Sequence, residues 1–514
     1  MDTLFIHPFL PQKKLFKAYD IRGDVMLFTD DFVWALAKTF AHGFVAAQSH
    51  TTAAAIVIGY DARKQSQEIA QFFAFACAQV GLRVHWLGLS TTPMMAYTAQ
   101  QLTGNGLIVT ASHSQKDING IKWLINHESP SSEDIEHVFA QLAHCTPQLP
   151  DTELLSQIKQ LPTNDVTTDE VNDYLAAIHT ALAHVNAPHN LRVVSAFAPK
   201  RIVIDCMNGA TSLFAEALFS QLGAACIMLN NTPDGNFPKG NPDPTEANRL
   251  SELAYHVLAC SADIGLAFDG DGDRLMVIDA KGHLVSPDHL LYLLSRICLE
   301  ERPPSYPATS KVIFDVKCSH HVASLLAQQG AVPTMAKTGS SLMRKSLQNK
   351  SDHAIFAGEL SGHFIFNDGY FVLHDDAMYA AARLINWLYR QPRSLVDILN
   401  ELPPCVSTAD MYLPVKDADA GQKIITRIIA MSKKPFTRLK SSLDIKNIYT
   451  IDGLRLDFAS GFGILRKSNT GNFLTVRFCA NTIADLRYIQ TIFVNLCRRV
   501  DDHLAEQVAQ IQPI

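Results

Sequence analysis

The chain has 514 residues, 47% of them apolar and 18% charged, with a formal net charge of −6; this is an ordinary soluble globular composition, too long for one core, so three or four domains are expected. No basic excess or Lys/Arg run offers a footprint for nucleic acid, and no stretch of about 18 uncharged apolar residues offers a membrane span. Ten cysteines lie singly without Cys-x-x-Cys pairs, and Met1-Asp2-Thr3-Leu4 opens no basic-then-apolar leader, so a reducing, cytoplasmic setting is expected.

A β-branched run at 54–58 leads to Gly59-Tyr60-Asp61, a helical-period stretch at 69–80 stops at Gly81, and a second apolar run follows at 82–87. A further strand at 106–109 opens into Thr110-Ala111-Ser112-His113. The order then recurs twice. Strand 201–205 ending in Asp205, helix 213–222, Gly223 and strand 224–229 precede strand 264–268; strand 311–315 ending in Asp315, helix 322–328, Gly330 and strand 331–336 precede strand 354–357. Such crossovers imply largely parallel sheets with ligands at the carboxyl ends of their strands. Beyond about residue 400 shorter alternating stretches such as 473–478 and a helix from about Ile483 suggest a smaller α+β unit. Helix-breaking stretches near 162–168, 282–288 and Pro403-Pro404 mark the joints, giving expected domains at 1–166, 167–282, 283–402 and 403–514, arranged around a central cleft.

The loops after the third strands carry the chemistry. Asp269-Gly270-Asp271-Gly272-Asp273-Arg274 alternates three carboxylates with glycines that let the backbone curl, so the carboxylates converge on a cation. It is no calcium EF-hand loop, since Arg274 and Ala280 stand where glycine and a carboxylate are needed. Three hard oxygens suit Mg²⁺, which fills its octahedron with water or phosphate oxygens, so the loop asks for a phosphate partner. Ser112 beside His113 offers a hydroxyl that can accept and return a phosphoryl group, and Lys122 downstream can trade protons if neighbouring cations lower its pKa. Glycines flank Glu359-Leu360-Ser361 in Gly358–His363, allowing close approach of a ligand, and Arg466-Lys467-Ser468-Asn469-Thr470-Gly471 combines a cation with hydroxyl, amide and backbone donors suited to a phosphate.

Together with Phe16-Lys17-Ala18-Tyr19-Asp20-Ile21-Arg22-Gly23, these motifs stand in the order and approximate spacing of the α-D-phosphohexomutases, and the chain most resembles the bacterial phosphomannomutase/phosphoglucomutase group over nearly its whole length. The resemblance implies three related α/β domains with mixed, largely parallel sheets plus a C-terminal α+β domain. It also implies reversible phosphoryl transfer between O1 and O6 of a hexose phosphate through a phosphoserine and a hexose 1,6-bisphosphate. By matching motif, Ser112 is the phosphorylated serine, and Asp269, Asp271, Asp273 and the Ser112 phosphate hold one Mg²⁺. Arg22, Lys122 and His113 fall at the proton-transfer centre. Tyr19, Arg274, Lys317, Glu359, Ser361, His363, Arg466, Ser468, Asn469 and Thr470 surround the sugar phosphate. A monomer or weak dimer is expected. Phosphoglucosamine mutase fits less well, because Leu360 stands where glutamine is common; a non-catalytic sugar-phosphate sensor is the alternative outside catalysis.

The chain departs from the family at Ser114-Gln115, where Asn-Pro is usual, so this turn is expected to be more mobile. It also departs at Tyr60 in Gly59-Tyr60-Asp61, at Ser340 where relatives carry histidine, and at Gly471-Asn472 where a proline is common. The extra length at 128–166 and 182–200 reads as surface insertion.

Overall fold

A computed structural model of the chain describes residues 7–47, 54–159, 168–187, 198–349, 352–432, 445–468 and 471–513. Its first three sheets share one topology. The opening strands Ala55–Tyr60, Arg201–Asp205 and Lys311–Asp315 each sit between two parallel neighbours. Helices Ser66–Gln79, Ala215–Gln221 and His320–Gln328 return the chain to one side, at strands Arg83–Leu89, Ala225–Leu229 and Val332–Ala336. Helices Thr92–Gln101, Ser251–Ala259 and Ser340–Gln348 then cross to the other side, at Gly106–Val109, Ile264–Phe268 and Ala354–Gly358. An antiparallel strand closes each unit: Ile118–Leu124, Leu275–Asp279 and Phe364–Phe366. The first helices stop at Gly81, Gly223 and Gly330, whose φ values of +86°, +92° and +78° are left-handed, as the sequence suggested.

The sequence reading places no helix between the second and third strands of each unit, and the structure has one in each. In the first unit the threonines are its start signal: the Thr91 Oγ accepts from the Met94 amide at 3.2 Å, and Pro93 occupies the first turn. Because successive crossovers leave a central strand in opposite directions, the loops after the first and third strands of each unit face one crevice. Strand Ile21–Asp24 adds to the first sheet by pairing antiparallel with Ile118–Leu124, which brings Arg22 opposite Gly120 and carries the Tyr19 segment to that crevice.

The fourth unit is an antiparallel sheet whose main path runs Val406–Ser407, Phe473–Ala480, Gly461–Lys467, Leu454–Phe458, Ile445–Tyr449. Helices Ala418–Ser432, Ile483–Arg498 and Asp502–Ala509 complete it, and Thr482 caps the second through the Asp485 amide. No helix among the described residues is long and apolar enough to cross a membrane, and all ten cysteines are free thiols.

One apolar core runs through the first three units, and helix Thr168–Asn186 is its wedge. Tyr174, Leu175, Ile178, Ala181 and Leu182 are buried between Met94 and Met95 of the first unit, Phe214 of the second and Tyr379 and Ile385 of the third. Each larger side chain contributes about 1.5–3 kcal/mol by leaving water. The Tyr174 hydroxyl donates to Asp376 at 2.7 Å, and Asn186 pairs with Asn386 through bonds of 2.8 and 3.0 Å. The expectation of surface insertions is therefore corrected for 128–159 and 182–187, while 160–167 and 188–197 lie outside the described residues. Leu182 and Val185 lie in the interior, and helices Ser132–Leu142 and Thr152–Lys159 bury Ile135, Leu142 and Ile158 in the first unit's core.

Candidate functional site

Ser112 follows strand Gly106–Val109 with φ +52°, a left-handed conformation that costs a non-glycine residue roughly 1–2 kcal/mol. Its surroundings hold it there. The Ser112 amide donates to Thr110 Oγ at 2.8 Å, and its carbonyl accepts from Arg63 at 2.6 Å. Its buried hydroxyl points across the crevice and donates to Asp269 Oδ2 at 2.7 Å, with His113 Nδ1 3.2 Å away. Burial, then the cations Arg274 and Arg22, push the His113 ring well below the usual imidazole range, so it is neutral.

The acidic loop leaves strand Ile264–Phe268 and buries all three aspartates. Its glycines are sterically required: a Cβ on Gly270 would lie 2.6 Å from the Ser112 carbonyl, and one on Gly272 (φ +76°) 2.8 Å from a Thr91 methyl. Asp269 Oδ1 accepts from the amides of Asp273 (3.0 Å) and Arg274 (3.1 Å), and Asp271 Oδ2 accepts from Thr92 Oγ at 2.6 Å. Lys122 Nζ donates to Asp271 and Asp273 at 2.7 Å each. Burial, then Asp273 and Asp271, raise the Asp269 carboxyl well above its ordinary value; Asp271 is lowered despite burial, because Lys122 stands against it. Asp271 Oδ1 and Asp273 Oδ1 are buried without a hydrogen-bond partner, and one oxygen from each aspartate falls within 4.8 Å of the others. Three crowded carboxylates with orphaned oxygens fit a hard divalent cation.

The expected lowering of Lys122 is reversed. Its neighbours are carboxylates from the second unit, and although burial opposes the charge, they hold the ammonium above the ordinary lysine range. The expected mobility of the Ser114-Gln115 turn meets a clamp instead. Arg63, itself buried, donates to the carbonyls of Ser112, Ser114 and Gln115 at 2.6 Å each and of Ile118 at 3.1 Å, so the turn is supported without proline. Arg22 bonds Asp20 at 2.5 Å and Ser114 Oγ at 3.3 Å.

On the third unit, Glu359 accepts the Gly339 amide at 2.5 Å and the Ser361 hydroxyl at 2.8 Å, while helix Ser340–Gln348 starts beside Gly339 at the departed position Ser340. His363 is turned inward: Nε2 accepts from Arg274 Nε at 3.0 Å, and Nδ1 lies 2.8 Å from Asp375, which also pairs with Arg344. Burial works against a charged His363 ring, but Asp273 and Asp375 outweigh it and raise its pKa. Lys317 pairs with Asp410 at 2.5 Å. The Tyr19 ring packs on Gly339, where a Cβ would lie within 3.4 Å, and burial followed by Asp452 raises its phenol. Arg466 bonds Asp452 at 2.8 Å, and Ser468 Oγ accepts from the Gly471 amide at 3.3 Å; Asn469 and Thr470 lie outside the described residues.

Ser112, His113, Lys122, Arg22, the three aspartates, Arg274 and His363 thus form one group, with Tyr19, Lys317, Glu359, Ser361, Arg466 and Ser468 in a second group between the third and fourth units. Arg63, Thr92, Asp375, Asp410 and Asp452 escaped the sequence reading. Only Arg63 left a trace, two residues after the strand-ending Asp61.

Known proteins match this architecture. The family descriptions "Phosphoglucomutase/phosphomannomutase, alpha/beta/alpha domain" I, II and III match residues 13–146, 173–282 and 286–406. A phosphomannomutase/phosphoglucomutase of Pseudomonas aeruginosa is 31% identical over 97% of this chain and 98% of its own. A phosphoglucomutase of Neisseria gonorrhoeae is 32% identical over 94% and 96%. The crystal structure of a phosphoglucomutase/phosphomannomutase family protein from Burkholderia thailandensis covers 97% of this chain and 99% of its own, with TM-score 0.76 and 28% identity. With a serine of one α/β unit meeting the acidic loop of the next inside that shared fold, the chain belongs to the α-D-phosphohexomutases, intramolecular phosphotransferases that interconvert sugar 1- and 6-phosphates.

Proposed function

We propose that this enzyme interconverts the 1- and 6-phosphates of mannose and of glucose, through a phosphoserine at Ser112 and a hexose 1,6-bisphosphate that turns over in the cleft. The observation that carries the reading is the 2.7 Å contact between Ser112 Oγ and Asp269, made between two units and buried from water. Asp269, Asp271, Asp273 and an oxygen of phosphorylated Ser112 would hold one Mg²⁺, which when bound neutralises charge on the transferring phosphoryl group.

In the forward half-reaction the P–O bond to Ser112 breaks and a new one forms to the sugar hydroxyl. Lys122, protonated against Asp271 and Asp273, is the acid for the leaving Ser112 oxygen, and the proton of the sugar hydroxyl returns to it. The neutral His113 stands 3.2 Å from the Ser112 hydroxyl, and Arg22, bonded to Ser114 of the same loop, adds a donor for the phosphoryl oxygens. Glu359, braced by Gly339 and Ser361, has lone pairs left for adjacent sugar hydroxyls, and Ser361 shares that contact. Tyr19, Lys317, Arg274, His363 and the Arg466–Thr470 loop grip the phosphate that is not reacting.

The test is a coupled assay on mannose 1-phosphate, glucose 1-phosphate and glucosamine 1-phosphate with glucose 1,6-bisphosphate present. The first two are expected to turn over at comparable rates and the third slowly, with Ser112→Ala down about 10³-fold or more. Activity surviving in Ser112→Ala, or a wild-type chain that takes no phosphate on Ser112, would overturn the reading.

A further inference from the structure

Resting on the reading of Ser112 as the phosphoryl carrier, we propose that Arg63 is the positioning residue that sets the Ser112 hydroxyl at its reacting place. It acts on the Ser112 carbonyl directly and on the Ser112 amide through Asp61 and Thr110, without touching substrate.

Arg63 is 3% exposed, yet four of its bonds go to main-chain carbonyls of one loop, at Ser112, Ser114, Gln115 and Ile118. A planar fork can converge those carbonyls from one side as no ammonium can. Its Nε and backbone amide are in turn fixed by Asp61, at 3.1 and 3.0 Å. Asp61 also accepts from Thr110 Oγ at 2.7 Å and Ser66 Oγ at 2.8 Å. Since Thr110 Oγ accepts the Ser112 amide, the amide and the carbonyl of Ser112 are both tied to the Asp61–Arg63 pair, one from each side of the strained residue.

The second unit closes this device from outside. Phe237 lies over the guanidinium with 4.9 Å between the carbon and the ring centre, and Gly235 comes so near that a Cβ would stand 2.4 Å from the Ala62 carbonyl. Gly270 presses on the Ser112 carbonyl that Arg63 holds. The seryl loop is therefore pinned between its own arginine and the unit carrying the acidic loop. A serine that must meet a phosphoryl group at either end of a turning sugar gains from an origin that does not move.

The experiment compares wild type, Arg63→Lys and Thr110→Val in the sugar-phosphate assay and in single-turnover phosphorylation of Ser112 by glucose 1,6-bisphosphate, followed by phosphopeptide mass. Arg63→Lys keeps charge but loses the fork; Thr110→Val keeps shape but loses the amide tether. Both are expected to lower kcat and the Ser112 phosphorylation rate together, by about 100-fold for Arg63→Lys, with KM for the sugar phosphate within about 2-fold. Equal phosphorylation rates in wild type and either folded variant, or a loss confined to KM, overturn the proposal. Should Arg63→Lys not fold, Thr110→Val decides. A wild-type enzyme unphosphorylated at Ser112 would instead overturn the functional reading on which the proposal rests.

Discussion

The junction among the first three units and the junction between the third and the fourth are built from different materials. At the first, helix Thr168–Asn186 sinks an apolar face into three units at once, and its few polar bonds are buried with it. At the second, Arg455 donates to the carbonyls of Val316 and Cys318 at 2.6 and 2.7 Å, Arg477 to the Lys317 carbonyl at 2.5 Å and to Asp288 at 3.2 Å, and Lys317 reaches Asp410. A small apolar patch of Val316, Phe462, Ile464 and Cys479, with Met335 and Cys405 against it, accompanies them. Apolar burial is lost only by admitting water along a whole face, whereas a hydrogen bond to a carbonyl exchanges for one to water at a net cost near 1 kcal/mol. The first three units are therefore expected to move as one body, and the fourth to be the part that swings, about the Pro403-Pro404 segment. Small-angle scattering should show compaction on adding glucose 1,6-bisphosphate, and an unchanged profile would speak against that motion.

The sharpest way to break this contrast is Ile178→Ala, which opens a cavity in the wedge where all three units meet. About 3 kcal/mol of stability should go, seen as a lower main calorimetric transition shared by the first three units. An unaltered melting profile would mean that the helix decorates the core and does not join it. Arg455→Met is the counterpart at the other junction. It strands two buried carbonyls and the Asp457 carboxylate, worth about 1–3 kcal/mol, but confined to the docking of the fourth unit. The expected signature is a larger radius of gyration without substrate and a raised KM, with the main transition nearly in place; a fall in that transition as deep as that of Ile178→Ala would erase the distinction.

What the sequence disclosed follows the same division. Three carboxylates in five residues have few neutral explanations, so the acidic loop was legible, and the recurring strand, helix stop and strand gave the three α/β units because the periodicity is local. The wedge was not legible. Its window opens with Thr168-Asp169-Glu170 like any capped surface helix, and the apolar face declares itself only against partners in three separate units, Met94, Phe214 and Tyr379 among them. Lys122 misled for the same reason: the carboxylates that fix its charge come from another unit. Asp410 and Asp452 are lone acids in loops, and nothing near them in sequence names Lys317 or Arg466 as partners.

The finest distinction is by pH. His320 starts helix His320–Gln328 at the second junction, with Nε2 3.0 Å from Asn481 Oδ1 of the fourth unit. Burial, and then the neighbouring ring of His321, push its pKa down to about 4; burial lowers His321 and His289 as well. When the junction opens or the chain unfolds, His320 regains the ordinary imidazole value near 6.5. Between those two values the open state binds a proton that the docked state refuses. Docking strength is therefore complete above about pH 6.5 and declines as pH falls toward 4. His320→Asn should flatten the pH dependence of the radius of gyration between pH 7 and 4.5 by somewhat less than one proton's worth, since solvent still reaches part of the ring. Parallel pH curves for wild type and His320→Asn would remove His320 from the docking energetics and leave the arginines alone to explain why this junction is the weaker one.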